Sequence, residues 1–518
     1  MPHGAAGSQA VPGRPIPMTP SRVFLAAYAF ASAAALSRSA DDPSRLPRST
    51  PEEQGISSSA ILSFVEGAEQ KVDAVHSVMI VRHGHVVAEG WWSPYAPDEP
   101  HVLFSLSKSF TSTAVGLAIS EGKLSLDDTL VKLFPEEAPA NPSKNLSQMR
   151  IRDLLRMSSG QRAEDIRDFP FTGNVDLVRT FLEYPVPDIP GTHFVYNTPA
   201  TYILSAAVQK VTGQKVRDYL QSRLFDPLGI APPRWDESAR GVSLGGFGLR
   251  LRTEEIARFG QLYLQRGQWN GKQVVPADWV EEATSRQTAN GSDPTSDWNQ
   301  GYGYQFWRCR HGFYRGDGAF GQFCIVMPQY DAVVAITSGT GDMQSVMNLV
   351  WDRIVPALGA SALPADPESD RKLSEKLAGL SLVTQAGQAT SPEAERVKGR
   401  RYVFAPNALK IESVTLKSAG PGAVFMLRVA GADHEIECGY GSWARGSTND
   451  PSGEVVPVAS SGAWSSGDTY TIRMVAYQSP FSTDYDLRFA GDKVILEALD
   501  NVDLVPPTRT RLVGTAQP

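Results

Sequence analysis

Cysteine is scarce in this chain: there are three in 518 residues. Cys309, Cys324 and Cys438 share no C-x-x-C spacing, so no metal knuckle is suggested. An excess of basic charge is also missing. Lysine and arginine number 49 against 56 aspartates and glutamates, a net charge of −7, and no basic run or stripe stands out. That sets nucleic-acid binding aside. Long apolar runs are lacking as well. Val23–Leu36, behind Arg22, falls short of the ~20 residues that a spanning helix needs, so no transmembrane helix is expected in the mature chain.

That run carries another message. Small residues around Ala33 and Ala35, then Asp41-Asp42, complete the order of an export signal: charged start, apolar stretch, cleavage zone. The Gly- and Pro-rich residues 1–17 make an odd beginning for one, which points to Met18 as its first residue. Export to the periplasm or medium is the expectation, with an Ala-rich tail on a cytosolic protein as the alternative.

What is present is ordinary globular material, 42% hydrophobic and 20% charged, in a chain too long for one typical domain. Residues 1–40 read as an extension with the signal and 41–50 as a linker. A first domain is expected over 51–358. It opens with a helical pattern from Ile56 and a hairpin, Val78–Arg82 and Val86–Glu89, turning at His83-Gly84. Helix-like segments follow at Ser105–Glu121, Ile151–Met157, Val175–Glu183, Ala200–Thr212 and Thr253–Arg266. Strand-like runs return at Tyr302–Cys309, Phe313–Gly316, Gln322–Met327 and Ala332–Thr337, then a helix at Met343–Leu358. Strands at both ends with helices between predict an α+β domain with one antiparallel sheet. Residues 359–395, rich in Ala, Ser, Pro and Glu, read as a linker. Residues 396–518, short β runs between turn clusters, read as an all-β barrel or sandwich with a structural or substrate-limiting role.

Chemistry concentrates at Ser105-Leu106-Ser107-Lys108, at the head of a helix ending at Gly122. Residues three apart share a helix face, so hydroxyl and amine can meet. A serine needs a base to become a nucleophile, and a helix N-terminus together with burial disfavours the charged form of a lysine. S-x-x-K also arises by chance, as an N-cap serine and a solvated lysine.

Its surroundings carry a resemblance. Phe104-Ser-Leu-Ser-Lys-Ser-Phe-Thr, Ile151-Arg-Asp-Leu-Leu-Arg-Met-Ser-Ser-Gly, Pro190-Gly-Thr-His-Phe-Val-Tyr-Asn-Thr, the Thr253–Val280 stretch and Gly316-Asp-Gly-Ala-Phe-Gly-Gln-Phe occur in the order of the motifs of the serine β-lactamases, penicillin-binding D,D-peptidases and family VIII-type esterases. The sequence resembles that family over about 50–358. The resemblance implies a β-lactamase/transpeptidase-like fold, no metal or other cofactor, and a small-molecule or peptide-like ester or amide as substrate. It implies Ser105 as nucleophile, Lys108 as base and Tyr196 as phenolic base or proton relay. The oxyanion hole would be the backbone N–H groups of Ser105 and Ala319, and Asn197, Gly316, Asp317 and Gly318 would face the substrate.

Two departures bear on substrate. The family's Tyr-x-Asn is here Tyr196-Asn197-Thr198, and no lysine or histidine leads the third motif. Asp317 stands there, with Arg315 two residues earlier on the same strand face, where the pair neutralises itself. Such a site disfavours a β-lactam carboxylate, and Asp317 suits a substrate ammonium. Tyr196-Asn197-Thr198 together with the Gly321-Gln322 ending of the third motif resembles the 6-aminohexanoate-oligomer hydrolase and esterase branch. The alternatives are a β-lactamase, a penicillin-binding sensor that acylates without turnover, and an inactive secreted binding protein.

Other signals are weaker. Gly241-Val-Ser-Leu-Gly matches the G-x-S-x-G elbow but lacks the strand before and helix after that an elbow needs, so it reads as a glycine-rich loop. His83-Gly84-His85 sits on a hairpin turn without further ligands. Cys309 and Cys324 flank the third motif, where a disulfide and two buried thiols both remain open.

Overall fold

Eight consecutive buried residues, Val75–Arg82 (β1), with the apolar run Val78–Val81 at their centre, form the spine of the first domain. The computed structural model describes residues 45–72, 74–449, 453–504 and 509–517. The expected export signal and the first part of the 41–50 linker lie outside these residues. β1 turns at His83-Gly84 into β2 (His85–Trp91), as the hairpin signal predicts. The rest of the sheet comes from the far end of the domain: β3 (Trp307–Arg308), β4 (Tyr314–Gly318), β5 (Gln322–Met327) and β6 (Ala332–Ser338). Their spatial order is β2-β1-β6-β5-β4-β3, antiparallel throughout. Of Tyr302–Cys309, expected as strand, only β3 joins the sheet, while Tyr302 makes isolated bridges to Thr288 and Trp307.

Both faces of the sheet are covered, which is why its strands read as apolar runs rather than alternating ones. Met79, Val81, Cys324, Val326, Val333 and Ala335 point into one core; Val78, Ile80, Phe323, Ile325, Val334 and Ile336 point into the other. The helix α1 (Ser58–Lys71) lines the second core. On the first lie α2 (Ser107–Ser120), α3 (Ile151–Leu155), α4 (Thr198–Thr212) and α5 (Thr253–Leu264). The C-terminal helix of the sequence reading is α6 (Met343–Leu349), continued by wider and tighter turns to Ala357.

The two-core arrangement settles the cysteines. Cys309 belongs to the α1 side and Cys324 to the α5 side, so their side chains leave the sheet in opposite directions. All three cysteines are buried free thiols, which decides between the two readings left open for Cys309 and Cys324.

Residues 359–395, expected as a linker, contain a 12-residue helix, α7 (Pro367–Ala378), capped by Asp366. It is held because Leu373 and Leu380 join the α1-side core and Lys376 pairs with Glu69 at 2.5 Å. Beyond it, ten strands run in the order β10-β9-β8-β7-β16-β15-β14-β13-β12-β11. They are β7 (Arg401–Phe404), β8 (Ile411–Ala419), β9 (Gly422–Val429), β10 (Ala432–Cys438), β11 (Ala444–Asn449), β12 (Val455–Trp464), β13 (Thr469–Val475), β14 (Ser482–Ala490), β15 (Lys493–Asp500) and β16 (Thr510–Ala516). Backbone bonds from Gly439 N to Ser460 O (3.1 Å) and from Gly462 N to Gly439 O (2.9 Å) draw the two ends together, so the all-β domain is a nearly closed barrel rather than a sandwich.

The placement of the cysteines is directly measurable. Thiol titration of the unreduced, denatured protein is expected to find three reactive thiols per chain; one would restore the disulfide.

Candidate active site

Ser105 sits in a single tight turn, Phe104–Leu106, that feeds directly into α2. The helix is buried from Ser107 to Ala118, and it stops where sequence reading places the stop. Gly122 adopts φ 69°, with Gly122 N–H bonded to Ile119 O at 2.9 Å and Lys123 N–H to Ala118 O at 2.9 Å, the paired bonds of a glycine-terminated helix. One turn into the helix, the Lys108 amine lies 2.9 Å from Ser105 Oγ and donates to the Gly246 carbonyl at 2.9 Å. Its side chain is 1% exposed. Burial pushes the amine down to about 7, against an upward pull from Asp317.

Tyr196 arrives from the segment before α4. Its hydroxyl hydrogen-bonds with Ser105, and Lys108 Nζ stands 4.9 Å from its ring centroid. Burial raises the phenol, and Asp317 and its charge raise it further. Trp307 stacks on the ring at 5.4 Å, with Tyr302, Phe194 and Met157 in the same apolar cluster. Ser105, Lys108 and Tyr196 therefore meet in one place.

The third motif lies alongside. Gly318 touches the Ser105 turn: a Cβ there would lie 2.1 Å from Leu103 O and 3.1 Å from Ser105 N. This contact sets the Gly318–Ala319 backbone beside the Ser105 N–H. Gly316 meets the head of α2, where a Cβ would approach Leu106 Cδ1 to 2.4 Å. The glycines thus make room for the chain's own turn and helix, not for a substrate backbone as the sequence suggests. The tight turn after Ala319 is pinned from below. Gln322 Nε2 donates to Ala319 O (3.0 Å) and Ser338 O (2.8 Å), and Ser338 Oγ donates to the Phe320 and Gly321 carbonyls (2.8 and 2.9 Å). Phe104 and Phe320, which flank Ser105 and Ala319, take φ of 45° and 67°, left-handed values that bulky residues hold only under tertiary constraint.

Asn197 and Asp317 correct the substrate-facing set. Asn197 is fully buried: its Nδ2 donates to Gln161 Oε1 (2.9 Å) and Ser159 Oγ (3.1 Å), while its Oδ1 caps α4 by accepting from Ala200 N (2.9 Å). It holds Tyr196 at the helix entrance and has nothing left for a ligand. Asp317 is 6% exposed and accepts from Arg315 Nε at 2.9 Å, with Trp298 as a further donor. Burial raises its carboxyl, and the guanidinium opposes that rise. Arg315 is fully buried, its Nη1 donating to the Asp297 carbonyl at 3.0 Å. The self-neutralising pair expected from the strand spacing is present, and the carboxylate is committed to it rather than open to a substrate ammonium.

Two contributors escape sequence reading. Gly246, from the loop set aside as a false elbow, supplies the carbonyl that anchors Lys108; Ser243 of that loop is fully buried. Gln305 accepts from Thr201 Oγ1 (2.8 Å) and Ser109 Oγ (2.9 Å) and donates to Leu155 O (2.8 Å), tying α2, α3 and α4 together. Neither has a local signal. Among the described residues no group of three or more His, Cys, Asp or Glu could hold a metal.

The profile of the Beta-lactamase family matches residues 66–355, which span every one of these site residues. The chain belongs to the β-lactamase family. Its relatives are serine hydrolases that need no metal. This β-lactamase-family chain is 27% identical over 326 residues to a 6-aminohexanoate-dimer hydrolase of Paenarthrobacter ureafaciens, covering 58% of the chain and 82% of that protein. It is 25% identical over 302 residues to penicillin-binding protein 4 of Amycolatopsis lactamdurans, covering 50% and 77%. A solved octameric penicillin-binding-protein homologue from Pyrococcus abyssi aligns with 88% of the chain and 99% of its own length, at 16% identity and a TM-score of 0.45.

The role found for Asn197 has a direct check. Asn197→Ala removes the cap and leaves Gln161 and Ser159 unmatched, and is expected to lower stability in urea unfolding by about 1–2 kcal/mol. Unchanged stability with a raised KM would return Asn197 to the substrate-facing set.

Proposed function

We propose that this protein hydrolyses an ester or a linear amide through an acyl-enzyme on Ser105. The observation that carries the reading is the buried Lys108 amine, at about 7, standing 2.9 Å from the Ser105 hydroxyl. As Ser105 Oγ attacks the substrate carbonyl, Lys108 takes the hydroxyl proton. Negative charge gathers on the carbonyl oxygen, opposite the Ser105 and Ala319 N–H groups at the positive end of α2. The C–O or C–N bond then breaks, and the leaving alcohol or amine takes a proton through Tyr196. A phenol pushed upward stays protonated at neutral pH, which suits it to relay a proton rather than to act as a phenolate base. Water, giving its proton back along the same route, attacks the acyl carbon, releases the acid and restores the serine.

The third motif supports an ester or linear amide over a β-lactam. A β-lactam presents a carboxylate, and the nearest third-motif cation, Arg315, is bound to Asp317 and the Asp297 carbonyl. The 6-aminohexanoate-dimer hydrolase relative, by its name a hydrolase of a linear amide, is in keeping with this.

A fluorophosphonate probe is expected to label one residue per chain, in the peptide bearing Ser105, and Ser105→Ala to lower kcat by about 10³-fold or more. Label on Ser243 would refute the assignment. Steady turnover of a chromogenic ester after the first equivalent separates an enzyme from an acylated sensor, which stops there.

The pH dependence follows from Lys108. The neutral amine is the competent form, so kcat/KM for an uncharged ester is expected to rise about tenfold per pH unit below its midpoint and to level off above about 7. A flat profile between pH 5 and 8 would rule out Lys108 as the base.

A further inference from the structure

The connection from β13 to β14, Ala476–Phe481, leaves the barrel and lies on the first domain. Val102 N–H donates to the Gln478 carbonyl at 2.9 Å, and the Tyr95 hydroxyl donates to the Ser479 carbonyl at 2.9 Å. Asn501 Nδ2 donates to the carbonyls of Gly339 and Pro480, both at 2.9 Å. A Cβ on Gly339 would stand 2.3 Å from Pro480 O, so the two backbones touch where β6 ends. The loop is tied at both sides of the nucleophile turn: to the residue two before Phe104 and to the strand end that holds Gln322 and the Ala319 turn.

Fixed in this way, the loop delivers Phe481. Its ring centroid lies 6.0 Å from Phe104 and 5.7 Å from Phe320, while Phe104 and Phe320 are themselves edge to face at 5.4 Å. Phe104 immediately precedes Ser105, and Phe320 immediately follows Ala319. Three rings from three separate stretches therefore make one wall beside the nucleophile and the proposed oxyanion donors. None of the three bears a charge, and Phe481 stays 37% exposed, one of the few large apolar side chains that do. Edge-to-face rings leave apolar faces and edges on which a further apolar group can pack.

We infer that Phe481 is a specificity-determining residue contributed by the barrel, selecting substrates whose acyl portion carries an apolar chain or ring. This rests on the Ser105 acyl-enzyme reading. The barrel side of the site then grades substrates by how much apolar surface they lay against the three rings, each buried methylene being worth about fourfold in kcat/KM.

The test is a series of p-nitrophenyl esters from acetate to octanoate, with kcat/KM measured for the full-length wild type, Phe481→Ala and Phe481→Leu. The wild type is expected to prefer the longer acyl chains. Phe481→Ala is expected to lower the octanoate-to-acetate ratio by about fifteenfold, the loss of roughly two methylenes' worth of contact, with Phe481→Leu between. Val513→Ala, a truncation of another exposed apolar barrel residue, is expected to leave the ratio at its wild-type value. An unmoved ratio in a folded Phe481→Ala or Phe481→Leu protein, or an equal fall in Val513→Ala, overturns the inference while the Ser105 reading stands. A wild type that turns over no ester in the series overturns the inference, and the Ser105 reading falls with it only if fluorophosphonate labelling of Ser105 fails as well.

Discussion

Everything at this site depends on keeping one lysine amine out of water without a full counter-charge of its own. A solvated Lys108 would be an ammonium at neutral pH and useless as a proton acceptor. Its surroundings are a serine hydroxyl, a backbone carbonyl and the side of a phenol ring, and the carboxylate that could stabilise the charge is already bound to a guanidinium. The Arg315–Asp317 pair therefore does more than occupy the third motif. Were Asp317 unpaired, its charge would pull Lys108 upward more strongly, since opposite charges in a poorly solvated site favour ionisation. Burial of α2 over nearly its whole length is the large-scale expression of this local requirement.

A second constraint is steric. The Ser105 turn, β4 and the loop that anchors Lys108 approach one another closely, and glycine stands at each contact: Gly318 against the Leu103–Ser105 backbone, Gly316 against the Leu106 and Ser109 side chains, and Gly246 against Thr198. The Gly318 contact fixes the relative position of two peptide groups more tightly than side-chain packing does. The left-handed Phe104 and Phe320 are held on either side of them, against a conformational preference of order 1–3 kcal/mol each. Preorganisation of the donors is thus a property of the backbone, supported by Gln322 and Ser338 beneath it.

What the sequence makes legible follows from how local each signal is. Ser105 and Lys108 are three residues apart where the Phe104–Leu106 turn runs into α2, so their meeting is a local matter. The pairing of Arg315 with Asp317 follows from strand period, again a local rule. Tyr196 has no such local mark and was legible only through the order of motifs along the chain. Asn197 reads as substrate-facing in one dimension because an asparagine beside a site tyrosine and the asparagine of a helix cap look identical there; the following Thr198-Pro199 pair, a helix start, is the clue to the cap. Gly246, Gln305 and Phe481 reach the site only through tertiary packing, Phe481 from another domain. In the 359–395 stretch, polar composition hid a helix that needs only Leu373 and Leu380 to dock.

The central sheet also has a history built into its register. β1 forms its hairpin with β2 early, but its other edge pairs with β6, from Val75 opposite Ser338 to Arg82 opposite Ala332. During synthesis at ~5–20 residues per second, that edge waits roughly 10–50 s for its partner. It is eight residues long and apolar on both faces over Val78–Val81, the kind of edge that recruits a strand from a neighbouring chain. The pairing with β6 that completes the sheet is thus also what takes the β1 edge out of reach of a neighbouring chain.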